Sequence, residues 1–116
     1  MIRGLINRIL HLLARSLPGR TSLRPYLHRL RGIQIGTGVA IGDDVYLENE
    51  HPASVEIQEG VHIAMRCTIV AHTRGKGRVI LERNSFIGAC SLIVCPGGQT
   101  LTIGAGAVVA AGSVVV

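Results

Sequence analysis

Aromatic side chains are scarce in this chain, with one Phe, two Tyr and no Trp among 116 residues. That scarcity excludes a core anchored on large rings, and equally a surface for RNA or single-stranded DNA built by interleaving aromatic and basic residues. Acidic residues are missing until Asp43, whereas Arg3, Arg8, Arg15, Arg20, Arg24, Arg29 and Arg31 all precede it. Beyond residue 32 the remaining five of the twelve Lys and Arg meet seven Asp and Glu, so the net charge of +5 averages a basic arm with a slightly acidic body. Such an arm suits a membrane surface or an intramolecular dock better than nucleic acid. Long apolar runs are lacking too: Arg3, Arg8 and Arg15 interrupt residues 1 to 17, which excludes a spanning segment of about 20 apolar residues. Cysteine is limited to Cys67, Cys90 and Cys95, with no CxxC pair and no leader with a small-residue cleavage site, so the expected location is reducing and cytoplasmic.

What is abundant is aliphatic residues and glycine, at 47% hydrophobic and fifteen Gly. Their order is periodic. Ile35, Ile41, Leu47, Ile57, Ile63, Ile69, Leu81, Ile87, Ile93, Ile103, Val109 and Val115 fall into four groups of three, six apart within a group and ten, twelve and ten apart between groups. Extra residues therefore enter only after every third unit, as they would in a three-sided coil. The fifth residue of each uninterrupted unit is small or β-branched: Val39, Val45, Val61, Cys67, Ser85, Ser91, Ala107 and Ser113. Period-two alternation turns the first and fifth residues to the same side, which fills a narrow triangular prism. The second residue is often Gly or Ala, where the chain nears a corner. A helical reading fails, because apolar residues do not recur at three and four. The expected fold is an all-β solenoid of about four coils over residues 33 to 116, preceded by a basic amphipathic arm at 1 to 32.

In the arm, Ile2, Leu5, Ile6, Ile9, Leu10, Leu13 and Leu17 recur at helical spacing until Pro18-Gly19, and residues 23 to 31 read as a second short helix. The first helix either caps the open first coil or lies on an anionic membrane. In the body, loops 48 to 56, 70 to 80 and 94 to 102 are expected on one edge, and counting from Leu47, Ile69 and Ile93 puts Glu50, His72 and Pro96 in one column and Asn49, Ala71 and Cys95 in another. Outward sixth positions become apolar in the later coils, at Phe86, Val108, Leu92 and Val114, which suggests a subunit interface.

Handedness does not follow from the repeat. The run of aliphatic-Gly-x-x-small-x units ending in IGAGAVVAAGSVVV resembles the hexapeptide-repeat acyltransferases, sugar O-acetyltransferases among them. The resemblance covers residues 33 to 116 and implies a left-handed parallel β-helix, a homotrimer, and acyl transfer from acetyl-CoA to a sugar hydroxyl, with no metal. It makes His72, in IVAHTRGKGR, the general base, and it places the pantetheine arm near Ala89 and Ala111. Either Glu50 or a backbone carbonyl is expected to fix the ring tautomer, and Asn49, His51 and Arg74 are candidate acceptor contacts. Lys76 and Arg78 are candidates for phosphates, either those of the coenzyme or those of a nucleotide- or lipid-linked sugar. Each has a plainer alternative: a solvated loop histidine, a solvated charge run, small residues required by a corner. Cys95 reads as an ordinary free thiol. Relatives in the resembling family continue into a proline-containing segment that closes the coenzyme site, so the end at Val116, mid-coil, is expected to be a truncation. Competing readings are a γ-type carbonic anhydrase, whose three zinc histidines the spacing of His51, His62 and His72 does not match, and a catalytically silent trimeric scaffold.

Overall fold

An interior column of branched aliphatic residues six apart needs the chain to turn after each short strand, and the backbone does so by one repeated device. The fourth residue of every uninterrupted hexapeptide is left-handed: Gly38, Asp44, Gly60, Arg66, Asn84, Cys90, Gly106 and Gly112 all have φ between 51° and 73°. Glycine fills half of these positions because it adopts that conformation without a Cβ clash. At the second position the constraint is space instead. A Cβ on Gly88 would lie 2.4 Å from the backbone nitrogen of Ala111 in the next coil.

The computed structural model describes residues 2–116. Two helices, α1 (Ile2–Ser16) and α2 (Leu23–Arg31), precede twelve strands. The strands are β1 (Gln34–Ile35), β2 (Ala40–Ile41), β3 (Tyr46–Leu47), β4 (Val55–Ile57), β5 (His62–Ile63), β6 (Thr68–Thr73), β7 (Arg78–Leu81), β8 (Phe86–Ile87), β9 (Leu92–Pro96), β10 (Thr100–Ile103), β11 (Val108–Val109) and β12 (Val114–Val115). Every third strand pairs in parallel, giving three four-stranded sheets, β1-β4-β7-β10, β2-β5-β8-β11 and β3-β6-β9-β12. The molecule is thus a parallel β-solenoid of four coils with helices at one end, consistent with a left-handed β-helix.

The register reproduces the periodicity, since Ile35 pairs with Ile57, Ile41 with Ile63 and Leu47 with Ile69. Those stacked residues and the small fifth residues form the core. Burying each large aliphatic side chain contributes roughly 1.5–3 kcal/mol before entropy is subtracted.

Two of the expected loops are mostly strand. β6 runs on to Thr73 and β7 resumes at Arg78, while β9 runs to Pro96 and β10 resumes at Thr100. Alternation continues through Val70-Ala71 and Val94-Cys95, with Ala71 and Cys95 buried, so the two insertions extend the sheets and leave only tight turns. The Gly77 N–H donates to Ala71 O at 2.7 Å and closes the turn at 74 to 77, replacing the long loop expected there.

The arm caps the first coil, and its arginines do the capping. β1, β2 and β3 each form a sheet edge with unpaired backbone groups. Arg29 donates to Ile35 O and Gly36 O, Arg24 to Ile41 O, and Arg31 to Leu47 O and Glu48 O, one guanidinium for each of the three sides. Backbone donors are met as well, Ile41 N–H by Arg20 O and Leu47 N–H by His11 Nε2.

Candidate active site

The third sheet delivers the chemistry at the corner where its strands end. After Leu47 the chain leaves β3, the in-and-out alternation stops, and the Glu48 side chain is enclosed completely. Arg31 holds the Glu48 carbonyl at 2.5 Å from below. The carboxylate accepts N–H groups from Ala71 at 2.6 Å, His51 at 2.8 Å and Glu50 at 3.0 Å. Both of its oxygens also lie 2.8 Å from His72 Nδ1. Burial by itself pushes this carboxyl up, but the Ala71 and His51 amides, His72 and the Glu50 amide outweigh it, so Glu48 titrates below the ordinary carboxylate range.

His72 reaches Glu48 because β6 carries an extra residue. Val70 pairs with Val94, yet Thr73 rather than His72 pairs with Pro96, which is a β-bulge between the two strands. The simple column of Glu50, His72 and Pro96 is therefore broken at His72. A bulge inserts one residue, kinks the strand and re-aims the side chains around it. The ring stays part exposed, and its Nε2 lies 3.1 Å from Glu50 Oε2, a carboxylate more than half exposed.

A carboxylate on Nδ1 selects the tautomer whose neutral form carries its proton there, leaving Nε2 as the acceptor. Glu48, not Glu50, occupies that position. Sequence reasoning missed Glu48, although a signal existed: the register sets it opposite Val70 and Val94 in an otherwise aliphatic row.

The other expected site residues divide. His51 is exposed at the same corner, its ring centroid 6.4 Å from that of His72. Asn49 turns away, buried, with Oδ1 against His11 Nδ1 at 3.0 Å, so it serves the cap. Arg74 and Lys76 are exposed in the turn beside His72, with Arg74 left-handed at φ 58°. Arg78 donates to Glu56 at 2.7 Å on the outside of the first sheet. Ala89 and Ala111 sit in adjacent coils at the corner between the second and third sheets, joined by Gly112 N–H donating to Ala89 O. Within one chain they are at the opposite end of the third sheet from His72. His62 belongs to β5 and packs on Phe86, so the three histidines of the carbonic anhydrase reading do not converge. Among the described residues no three His, Cys, Asp or Glu side chains gather as metal ligands. Cys95 is buried against carbonyl oxygens.

No family model, curated protein or solved structure matches this chain. A groove of about 460 Å³ runs across the third sheet to His72, lined by Arg15, Tyr46, Arg66 and Thr68. A larger groove, about 580 Å³, lies over Gln34, Thr37, Glu56 and Arg83 on the first sheet and includes neither His72 nor Glu48.

Proposed function

We propose that this protein is an acyltransferase that moves an acetyl or similar acyl group from a coenzyme A thioester to a hydroxyl of a sugar or polysaccharide precursor, with His72 as general base. One observation carries the reading: a fully buried carboxylate, Glu48, holds Nδ1 of a histidine whose other nitrogen faces the surface. The same carboxylate also ties down the Ala71, Glu50 and His51 amides, and an orienting carboxylate behind an imidazole is the arrangement general-base catalysis uses. The hexapeptide repeat and the resemblance built on it supply the acyl donor.

In the reacting state, neutral His72 accepts the hydroxyl proton on Nε2 as the oxygen attacks the thioester carbonyl. The tetrahedral intermediate then collapses, the carbon–sulfur bond breaks, and the imidazolium returns the proton to the departing thiolate. Glu48 stabilises the imidazolium without accepting its proton. Glu50 receives a hydrogen bond from Nε2–H when the ring is charged. When the ring is neutral the exposed Glu50 carboxylate and the Nε2 lone pair repel each other, and the mechanism requires Glu50 to leave Nε2 free for the acceptor hydroxyl.

Arg74 and Lys76 are suited to the coenzyme phosphates, and Ala89 and Ala111 to close approach of the pantetheine. Because these two sets sit at different corners, the reading requires a homotrimer in which the Ala89 corner of one subunit meets the His72 corner of the next. Exposed Phe86, Leu92, Val108 and Val114 support such an interface. The setting proposed is the cytoplasm.

Acyl-CoA turnover with a panel of sugar acceptors tests the proposal. His72→Ala should lower kcat by about 10²–10⁴ with little change in coenzyme binding. Equal turnover in wild type and His72→Ala, or no release of free coenzyme with any acceptor, would falsify it.

A further inference from the structure

The first helix is mounted inside out. In a surface helix of a globular protein the apolar stripe faces the core and the polar face meets water. In α1 the buried residues are His11 and Ala14, and Asn7, His11 and Arg15 are the side chains that bond to the solenoid end, reaching Asn49 and Asp44. Turned to solvent instead are Ile2 at 75% exposure, Leu5 at 60%, Ile6 at 50%, Ile9 at 48%, Leu12 at 60% and Leu13 at 40%. Capping and an apolar outer surface are therefore not alternatives: the polar face does the first and leaves the second uncovered.

Two features say what covers it. At 3.6 residues per turn, exposed Arg3 and Arg8 fall on opposite flanks of the apolar stripe, and no acidic residue occurs anywhere before Asp43. An apolar face rimmed by cations complements an anionic bilayer, where side chains enter the acyl boundary while guanidinium groups stay among the headgroups. A second copy fits poorly, since the same arginine-rich rim would face itself across a two-fold interface. Spanning is excluded for this segment: fifteen residues rise about 22 Å against an apolar thickness of about 30 Å, and among the described residues no helix is long and apolar enough to cross.

We infer that residues 2 to 17 seat this protein on an anionic lipid surface, with α1 lying in the plane of the interface and the solenoid held above it by the helix's polar face. A groove of about 490 Å³ between α1 and α2 is lined by Arg3, Ile6, Leu10 and Leu30 of the helices and by Glu50 of the first coil. Glu50 is the residue in contact with His72 Nε2, so the groove beside the seated helix adjoins the candidate site.

Vesicle flotation tests this without requiring turnover, so its failure is separate from a failure of the acyltransferase reading. The full chain should float with phosphatidylcholine vesicles containing phosphatidylglycerol and much less with phosphatidylcholine alone. Ile9→Gln combined with Leu13→Gln should weaken binding by about tenfold or more while the melting temperature falls by only a few degrees, because each side chain is already 40–48% exposed. Arg3→Gln with Arg8→Gln should weaken it mainly at low salt. Wild type that does not float, or a double apolar variant that floats undiminished, overturns the inference. So does self-association in lipid-free sedimentation that the Ile9/Leu13 variant relieves, which would make the occupant a second copy.

Discussion

Replacing Glu48 by Gln preserves the shape of a fully buried side chain and removes its charge, and the surrounding donors make the outcome calculable. In the wild type one oxygen takes the Ala71 N–H and the other takes those of Glu50 and His51, while His72 Nδ1 is equidistant from both. An amide accepts at one end only. With its NH₂ toward Glu50 and His51, two amides lose their acceptor; with it toward Ala71, one does, and the NH₂ can donate to His72 Nδ1. The second arrangement is favoured, at about 1–3 kcal/mol for a single stranded buried donor. In a chain of this length that lowers the melting temperature by roughly 5–15 °C. Donation to Nδ1 moves the ring proton to Nε2, the nitrogen that must accept one, so turnover should fall by about 10²–10⁴. Nitrogen-detected NMR of the imidazole distinguishes the two neutral tautomers directly. A Gln variant that keeps the Nδ1–H form and wild-type melting would refute the reasoning. Acid behaviour gives a second check. Glu48 titrates below its ordinary 4.5 in the folded state, so its stabilisation is complete above the unfolded value and is lost as pH falls through the folded one, and the Gln variant should lack that component.

The buried histidines of the cap should make stability fall earlier, below neutrality. His11 is lowered from 6.5 to about 4, by burial first and then by Arg31, and His28 to about 2 for the same leading reasons. Below pH 6.5 the unfolded chain binds protons that these rings refuse, so each contributes a loss of up to about 1.4 kcal/mol per pH unit toward pH 4; denaturant melts at stepped pH measure it, and His11→Gln should remove one share. Arg31→Met removes donors to Leu47 O, Glu48 O, His28 and Asn7 and should cost about 2–5 kcal/mol, with limited proteolysis releasing the arm before the solenoid is cut. Gly88→Ala should destabilise by about 1–3 kcal/mol because the new Cβ meets backbone at 2.4 Å. Gly104→Ala, whose nearest atom would be Glu82 Oε1 at 4.0 Å, should melt within a few degrees of wild type.

The solenoid was legible because its signal repeats. Twelve aliphatic residues at a spacing of six define three columns, and the pairing of Ile35 with Ile57 and Leu47 with Ile69 follows from the spacing alone. The left-handed fourth position was half visible, since glycine marks four of its eight occurrences and Asp, Arg, Asn and Cys the rest. The site was legible only to the nearest corner. Counting along the repeat reached His72 and the Glu50 that touches its Nε2, but not the Glu48 that holds Nδ1, because one bulged residue in β6 and the departure of the chain at Glu48 both break the count.

Composition and spacing by themselves determined a three-sided coil, an amphipathic basic helix and the neighbourhood of one histidine, since each depends on contacts repeated at constant sequence separation. Which carboxylate holds that histidine, which face of the helix meets the solenoid, and that arginines close the first coil were decided by tertiary structure. Those outcomes depend on where single side chains end up at corners and ends, where no neighbouring repeat is present to dictate them.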